Sequence, residues 1–212
     1  KNGEWHVVSV DDRLPCGHSG KLFFATCRDP SEFWVPIVEK AYAKLHGSYD
    51  AIAYGNIADG LKDLTGEAVE VILLDDKSYN LQPDQLWKTL VYNIKESYLM
   101  GCALENSSAN TEHELPTGLL VNHAYSVIDC EEVKGVKLMR IRNPWGRGEW
   151  NGAWGDGSKE WTPQLMKHFK YTFDNDGTFF MRFEDFLKNF NRIYVLRLMT
   201  DSEGEVWHKF NF

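Results

Sequence analysis

The stretches VNHAYSVI (121–128) and IRNPWG (141–146) decide how this sequence is interpreted. The first places a histidine at the start of an alternating apolar run, which is typical of a β-strand. Asn143 ends the next predicted strand, and a turn around Glu131–Gly135 separates the two. Since neighbouring antiparallel strands bring such ends to one edge of a sheet, we expect His123 and Asn143 to lie close together.

A histidine beside an asparagine has two interpretations. The asparagine carbonyl can accept a hydrogen bond from one imidazole nitrogen, which leaves the other nitrogen to exchange a proton near neutral pH. His123 and Asn143 are then the base and the orienting residue of a Cys–His–Asn arrangement, and Trp145 shields their hydrogen bond from water. Alternatively, His123 is a structural residue of a strand and Asn143-Pro144 is a turn.

The order of predicted elements indicates an α+β fold in which helices flank an antiparallel sheet. The clearest helix lies within 31–49; it begins near residue 34, because Pro36 fits only a first turn, and ends at Gly47. Further helices are predicted at 57–64, 82–99 and 183–190, a polar loop at 107–118, and strands at 5–15, 20–27, 100–105, 120–130, 134–143, 178–183 and 192–199.

Composition excludes several classes of protein. The net charge of −8 argues against a nucleic-acid-binding protein, and no apolar run is long enough for a membrane span. The first residues do not resemble a secretory signal peptide. The four cysteines show no CxxC spacing, so we expect reduced thiols in a cytoplasmic protein.

The two opening stretches belong to a longer similarity. NHAYSVI followed by IRNPWGRGEWNGAWGD resembles the protease core of calpains, the calcium-dependent cytosolic cysteine proteases. The resemblance also covers VDDRLP (10–15), EFWVPIVEKAYAKLHGSY (32–49), GLKDLTG (60–66) and DGTFFMRFEDF (176–186).

The resemblance implies a papain-like cysteine protease with its active site between two lobes, acting on protein substrates. It assigns residues 1–56 to the end of the nucleophile lobe, 57–199 to the His/Asn lobe, and 200–212 to a tail or linker to a following domain.

The catalytic cysteine is the departure that matters most. Calpains carry it in a motif resembling QGxLGDCWL, together with an oxyanion-hole glutamine, and this sequence has no such stretch. Cys16, Cys27, Cys102 and Cys130 are interpreted as structural thiols. We therefore expect the nucleophile in an N-terminal segment outside this sequence, and we expect the chain to be inactive by itself.

Two residues are expected to contact the main chain of a peptide substrate. Gly55 matches a glycine of the hinge between the lobes. Asn122 stands where the family commonly has glycine, so its side chain is expected to narrow the cleft or tilt the substrate.

Two acidic stretches, 149–156 and 172–178, raise the question of a metal. From composition alone, solvated acidic turns explain them. The resemblance instead implies Ca²⁺, with side-chain ligands Glu149, Asp156 and Asp176 and the carbonyl of Asp174. Thr178 replaces a usual glutamate, which weakens the site. Glu32 matches a ligand of the calcium site in the other lobe.

Three functions are open at this point. The first is part of a calcium-dependent cysteine endopeptidase that performs limited intracellular proteolysis. The second is a non-catalytic calpain-like module that regulates or binds partners, since a fold does not fix a function. The third is a structural β-domain in which His123 and Asn143 are a satisfied polar pair.

Overall fold

The computed structural model describes residues 4–76, 82–106 and 111–198. The chain forms two compact units, one ending at Gly66 and the other beginning at Glu67. This division falls after the helix at Ile57–Thr65, whereas the family resemblance places the lobe boundary after residue 56. The assignment of lobes stays a prediction, and the proposed tail at 200–212 lies outside the described residues.

The first unit contains two α-helices. Helix α1, Trp34–His46, begins and ends where the sequence predicts, with Gly47 at φ 109° after its last residue. A short 3₁₀ helix, Asp50–Ile52, leads to α2, Ile57–Thr65. The side chain of Asn56 caps α2 by accepting the N–H of Ala58 at 2.8 Å.

The predicted strands at 5–15 and 20–27 are wrong. Within this part of the described chain, only one isolated bridge forms, between Cys16 and Leu22. Alternation alone does not make a strand, because the strand also needs a neighbour for its backbone and a core for its apolar face. Val7 is 97% exposed, so that apolar face is not covered here.

Little of the first unit is buried. Among residues 4–66 only Pro36 and Ala43 fall in the buried class. Large apolar side chains are instead exposed: Trp5, Val7, Phe23, Phe24, Phe33, Trp34, Val38, Tyr54 and Leu64. Two buried residues are few for a unit of this size, and an exposed apolar surface of this kind is typical of an interaction surface.

The second unit has a large sheet and three helices within its described residues. Its elements are β1 Val69–Leu73, α3 Pro83–Lys95, β2 Leu99–Ala103, β3 His113–Glu114, β4 Leu120–Val121, β5 Ala124–Val133, β6 Val136–Arg142, α4 Pro163–Phe169, β7 Thr178–Arg182, α5 Phe183–Asn189 and β8 Arg192–Leu196. Six strands pair in the order β1-β8-β2-β5-β6-β7, every neighbour antiparallel. The predicted α+β class is confirmed.

The β5–β6 hairpin determines where the strand ends meet. Val133 pairs with Val136, so Lys134 and Gly135 form a two-residue turn. Both turn residues have positive φ, 52° and 77°, as a type I′ turn requires. The pairing then continues to Ser126 opposite Arg142, which places the start of β5 beside the end of β6.

The sheet buries apolar residues on both faces. Along β6, Met139 and Ile141 join one core cluster with α3 and α5, whereas Leu138 joins another with α4. Successive strand residues point to opposite faces, which explains the division. Trp150 lies in the first cluster, and Trp154 and Trp161 lie in the second. Of the four tryptophans between residues 145 and 161, these three are therefore core residues, whereas Trp145 is exposed.

Four of the described elements were not predicted: the 3₁₀ helix Asp50–Ile52, β1, β3 and α4. The start of α4 carried a usable signal, because Thr162 accepts the N–H of Leu165 as its cap and Pro163 follows at the first position. In the three described segments, no helix combines the length and apolar character needed to cross a bilayer.

Candidate active site

The structure brings His123 and Asn143 together. His123 immediately precedes β5 and Asn143 immediately follows β6, so the hairpin register places them at one edge. Nε2 of His123 lies 2.8 Å from Oδ1 of Asn143. His123 is 5% exposed and Asn143 is fully buried, so the hydrogen bond is shielded from water.

The amide orientation of Asn143 is fixed by the loop that follows it. Oδ1 also accepts the N–H of Trp145 at 3.0 Å, and Nδ2 donates to the carbonyl of Gly148 at 3.1 Å. Because Oδ1 is therefore the acceptor, Nε2 of His123 must carry the proton that it shares with Asn143.

Two glycines allow this loop to close around Asn143. Gly148 has φ 78°, and a Cβ there would lie 3.2 Å from Nδ2 of Asn143. Gly177 has φ 82°, accepts the N–H of Asn143 at 2.7 Å, and leaves a space in which a Cβ would lie 2.6 Å from the Asn143 carbonyl oxygen. Both the positive φ and the close approach require glycine at residue 177.

Aromatic rings flank the imidazole. The Trp145 ring lies 4.6 Å from that of His123, and the Tyr125 ring contacts it edge-on at 5.1 Å. Trp145 is 52% exposed, so it forms the outer cover of the pair. Burial raises the pKa of Tyr125 to about 12, against the opposing effect of the Leu120 N–H that its hydroxyl accepts.

Glu112, which the sequence analysis did not identify, contacts the second imidazole nitrogen of His123. Nδ1 of His123 lies 2.8 Å from Oε1 of Glu112, whose side chain is 33% exposed. Glu112 lies in the predicted polar loop and directly precedes β3, which pairs with β4 just before His123. The sequence carried no motif for this contact, since it depends on the pairing of two very short strands.

Asn122 occupies the position where the family commonly has glycine, and its side chain makes defined hydrogen bonds in this fold. Its φ of 57° is a conformation that asparagine tolerates better than most residues and that glycine adopts freely. Oδ1 accepts the N–H of Asn106 at 2.7 Å, and Nδ2 donates to the Asn106 carbonyl at 3.3 Å. The Asn122 N–H donates to the carbonyl of Leu104 at 2.8 Å. The amide therefore braces the segment that follows β2.

Gly55 and Glu32 belong to the first unit. Gly55 lies between the 3₁₀ helix and α2, and a Cβ added there would meet no described atom within 4 Å. Glu32 is exposed just before α1, and its N–H donates to the carbonyl of Asp29 at 3.1 Å.

The acidic loops converge through hydrogen bonds within the protein. Glu149 accepts the N–H of Gly177 at 2.7 Å, and Asp156 accepts the hydroxyl of Tyr171. Asp176 accepts the N–H of Thr178 at 2.8 Å. The carbonyl of Asp174, the predicted main-chain ligand, accepts the N–H of Asp176 at 2.6 Å.

Neighbouring negative charges in the acidic loops contribute to the raised pKa values of Glu149 and Asp156. Burial raises the pKa of Glu149, and the negative charges of Asp156 and Asp176 raise it further. Burial likewise raises the pKa of Asp156, with added repulsion from Asp176 and Asp174. A set of oxygen donors that repel one another suits a hard cation such as Ca²⁺. Among the described residues, however, no group of three His, Cys, Asp or Glu side chains has the arrangement of a metal site.

The cysteines match their structural interpretation in the second unit. Cys102 and Cys130 are buried in β2 and β5, and burial raises the pKa of both thiols. A buried thiol with a raised pKa is a poor nucleophile. In the first unit, Cys16 is exposed and Cys27 is partly exposed, and neither begins a helix.

Comparison with known proteins identifies the family of the chain. Residues 1–197 match the family described as calpain family cysteine protease. The chain is 45% identical to the calpain-type cysteine protease DEK1 of Zea mays over 99% of this chain and 10% of that protein. It is 37% identical to calpain-9 of Homo sapiens over 99% of this chain and 31% of that protein, and 38% identical to calpain clp-1 of Caenorhabditis elegans over 97% and 26%. The chain thus spans a third or less of these relatives.

Proposed function

Because the chain belongs to the calpain family of cysteine proteases, we propose that it supplies the general base of a cysteine endopeptidase and the residue that orients this base. The observation that carries the proposal is the buried hydrogen bond from Nε2 of His123 to Asn143. Asn143 fixes the ring and its tautomer, which directs Nδ1 to the proton-transfer role.

In the proposed reaction, Nδ1 of His123 first accepts a proton and later donates it. The imidazole takes the proton of a cysteine thiol, and the thiolate attacks the carbonyl carbon of the peptide. The imidazolium then gives that proton to the departing amine, and water hydrolyses the thioester. Trp145 covers the His123–Asn143 hydrogen bond and keeps it from competing water.

The nucleophile is proposed to lie on polypeptide outside this sequence, N-terminal to it in the whole protein. Two observations support this. Cys102 and Cys130 are buried thiols, and the first unit exposes large apolar side chains such as Trp5, Phe23 and Trp34. A missing part of the nucleophile lobe would cover that surface. The chain by itself is accordingly proposed to be inactive.

The proposed substrates are proteins, cut at few sites inside the cytoplasm. Gly55 and Asn122 are proposed to hydrogen-bond the substrate main chain, which gives broad tolerance of substrate sequence. Since the side chain of Asn122 is engaged with Asn106, we expect it to shape the cleft less than its size suggests.

Ca²⁺ is the proposed cofactor. Glu149, Asp156, Asp176 and the carbonyl of Asp174 would hold it in the second unit, and Glu32 would contribute to a site in the first. When bound, the ion supplies positive charge that offsets the repulsion among the carboxylates. Thr178, in place of a carboxylate, is expected to lower the affinity.

A non-catalytic calpain-like module is the second candidate. The observation in its favour is that Glu112 occupies Nδ1 of His123, the nitrogen that a base needs. In such a module the His123 pair would be structural.

Peptidase assays decide between the two. We expect no cleavage of casein by this chain alone, and cleavage by the natural polypeptide that also carries the cysteine motif. His123→Ala in that polypeptide should abolish activity while its circular dichroism is preserved. Equal activity of His123→Ala and the unaltered protein would contradict the endopeptidase proposal.

A further inference from the structure

Nδ1 of His123 is already paired, and this contact has a consequence for catalysis. Oε1 of Glu112 lies 2.8 Å from Nδ1, which is full hydrogen-bonding distance. An imidazole has two nitrogens, and Asn143 takes the other one. In this arrangement neither nitrogen of His123 is open to a thiol.

The geometry points to Glu112 as an internal competitor that holds His123 in place of the catalytic thiolate. This inference rests on the proposed endopeptidase function. A carboxylate and a thiolate are both anions that accept a hydrogen bond from Nδ1–H, so only one of them can pair with it at a time.

The hydrogen-bond partners of His123 determine which of its two nitrogens carry a proton. Oδ1 of Asn143 is an acceptor because Trp145 donates to it, so Nε2 carries a proton. An ionised Glu112 is also an acceptor, so Nδ1 carries a second proton. In an assembled site the catalytic thiolate would accept from the same Nδ1–H that Glu112 contacts here.

The fold holds Glu112 in place and also allows it to leave. Glu112 directly precedes β3, whose two pairs, His113 with Val121 and Glu114 with Leu120, link it to the residues just before His123. A ladder this short is weak, and the side chain of Glu112 is one-third exposed. Withdrawal of Glu112 therefore breaks few contacts besides the ion pair.

The first test uses this chain and needs no activity. Imidazole ¹⁵N NMR of His123 is compared among the unaltered chain, Glu112→Ala and Glu114→Ala, the last being a matched control in the same hairpin. We expect the Nδ1 resonance to shift in Glu112→Ala and to stay unchanged in Glu114→Ala. An unchanged Nδ1 resonance in Glu112→Ala overturns the inference.

The second test uses the natural polypeptide that includes the cysteine motif. Alkylation of the nucleophilic cysteine by iodoacetamide and kcat/KM on a peptide substrate are measured for the same variants. We expect both to rise about tenfold in Glu112→Ala and to stay within twofold in Glu114→Ala. A fall or no change in Glu112→Ala overturns the competitor role.

His123→Ala separates this failure from failure of the proposed function. If His123→Ala abolishes activity and Glu112→Ala does not raise it, the endopeptidase proposal stands and the competitor role is wrong. If His123→Ala leaves peptidase activity intact, the endopeptidase proposal itself is wrong, and with it the competitor role.

Discussion

Asn143 joins His123 to the backbone of the loop that follows β6. Its Oδ1 accepts from Nε2 of His123 at 2.8 Å and from the N–H of Trp145 at 3.0 Å, while Nδ2 donates to Gly148. One buried amide therefore fixes both the imidazole and the loop.

Asn143→Ala should destabilise the second unit. The change leaves the Trp145 N–H and the Nε2–H of His123 without their acceptor, at a cost of about 1 to 3 kcal/mol for each buried group. Urea unfolding followed by circular dichroism measures the loss. Asn151→Ala is the control, because exposed Asn151 makes its hydrogen bond to Pro116 at the surface. Equal losses in the two variants would contradict the role given to Asn143.

Gly177→Ala should destabilise the loop around Asn143 by more than the unfavourable positive φ alone explains. The residue has φ 82°, and the added Cβ would lie 2.6 Å from the Asn143 carbonyl oxygen. Strain of this kind costs about 1 to 3 kcal/mol, and the contact adds to it. Gly157→Ala is the matched control, since Gly157 has φ 69° but no described atom within 4 Å of its added Cβ. If both alanines cost the same free energy of unfolding, the close approach has no effect.

The four thiols should react with Ellman's reagent in a defined order. Cys16 is exposed and should react first, Cys27 more slowly, and buried Cys102 and Cys130 only after unfolding. Burial raises the pKa of the last two, so little thiolate is available in the folded state. Cys16→Ser should remove the fast phase, and mass spectrometry identifies the labelled sites. Rapid labelling of Cys102 in the folded chain would contradict its interpretation as a structural thiol.

Asp176→Asn should separate calcium binding from folding. In calcium-free buffer we expect no loss of stability, because the amide oxygen still accepts the Thr178 N–H and repulsion of Glu149 and Asp156 falls. The unaltered chain should gain about 2.7 kcal/mol in free energy of unfolding at a Ca²⁺ concentration of 100 times Kd, and the variant less. Glu132→Gln, a substitution of an exposed carboxylate elsewhere, should respond like the unaltered chain. Equal gains in Asp176→Asn would contradict a contribution of the Asp176 charge to calcium binding.

Tyr125 should make stability fall in alkali. Its pKa is raised from 10.0 to about 12, so the folded state holds the phenolic proton more tightly than the unfolded state does. Stability is therefore complete below pH 10 and falls above it, by up to about 1.4 kcal/mol for each pH unit until pH 12.

Tyr125→Phe should reduce that slope, although it lowers stability at neutral pH because the Leu120 N–H loses its acceptor. Exposed Tyr54 provides the control: Tyr54→Phe should leave the slope unchanged. Urea unfolding at several alkaline pH values measures both variants. A slope unaffected by Tyr125→Phe would show that other groups cause the alkaline loss.

The calcium interpretation of the acidic loops rests on the family resemblance and not on the predicted helices and strands. Solvated acidic turns and a calcium site have the same sequence pattern, because carboxylates and glycines occur together in both. The structure adds that Glu149 and Asp156 are partly buried and repel neighbouring carboxylates. That information depends on how two separate loops approach, which residue spacing does not encode.

The sequence by itself determined the elements that depend on local chemistry. Pro36 and Gly47 predict where α1 begins and ends, and the sequence predicts a turn around Glu131–Gly135, which the structure narrows to Lys134 and Gly135. Only the tertiary structure decided which contacts surround that pair. Glu112 reaches Nδ1 through a two-residue ladder, and the predicted strand at 5–15 does not form, since pairing and burial depend on segments distant in sequence. Periodicity and turn residues act within a few positions of the chain, whereas a partner for a side chain or a strand exists only once the fold has brought it there.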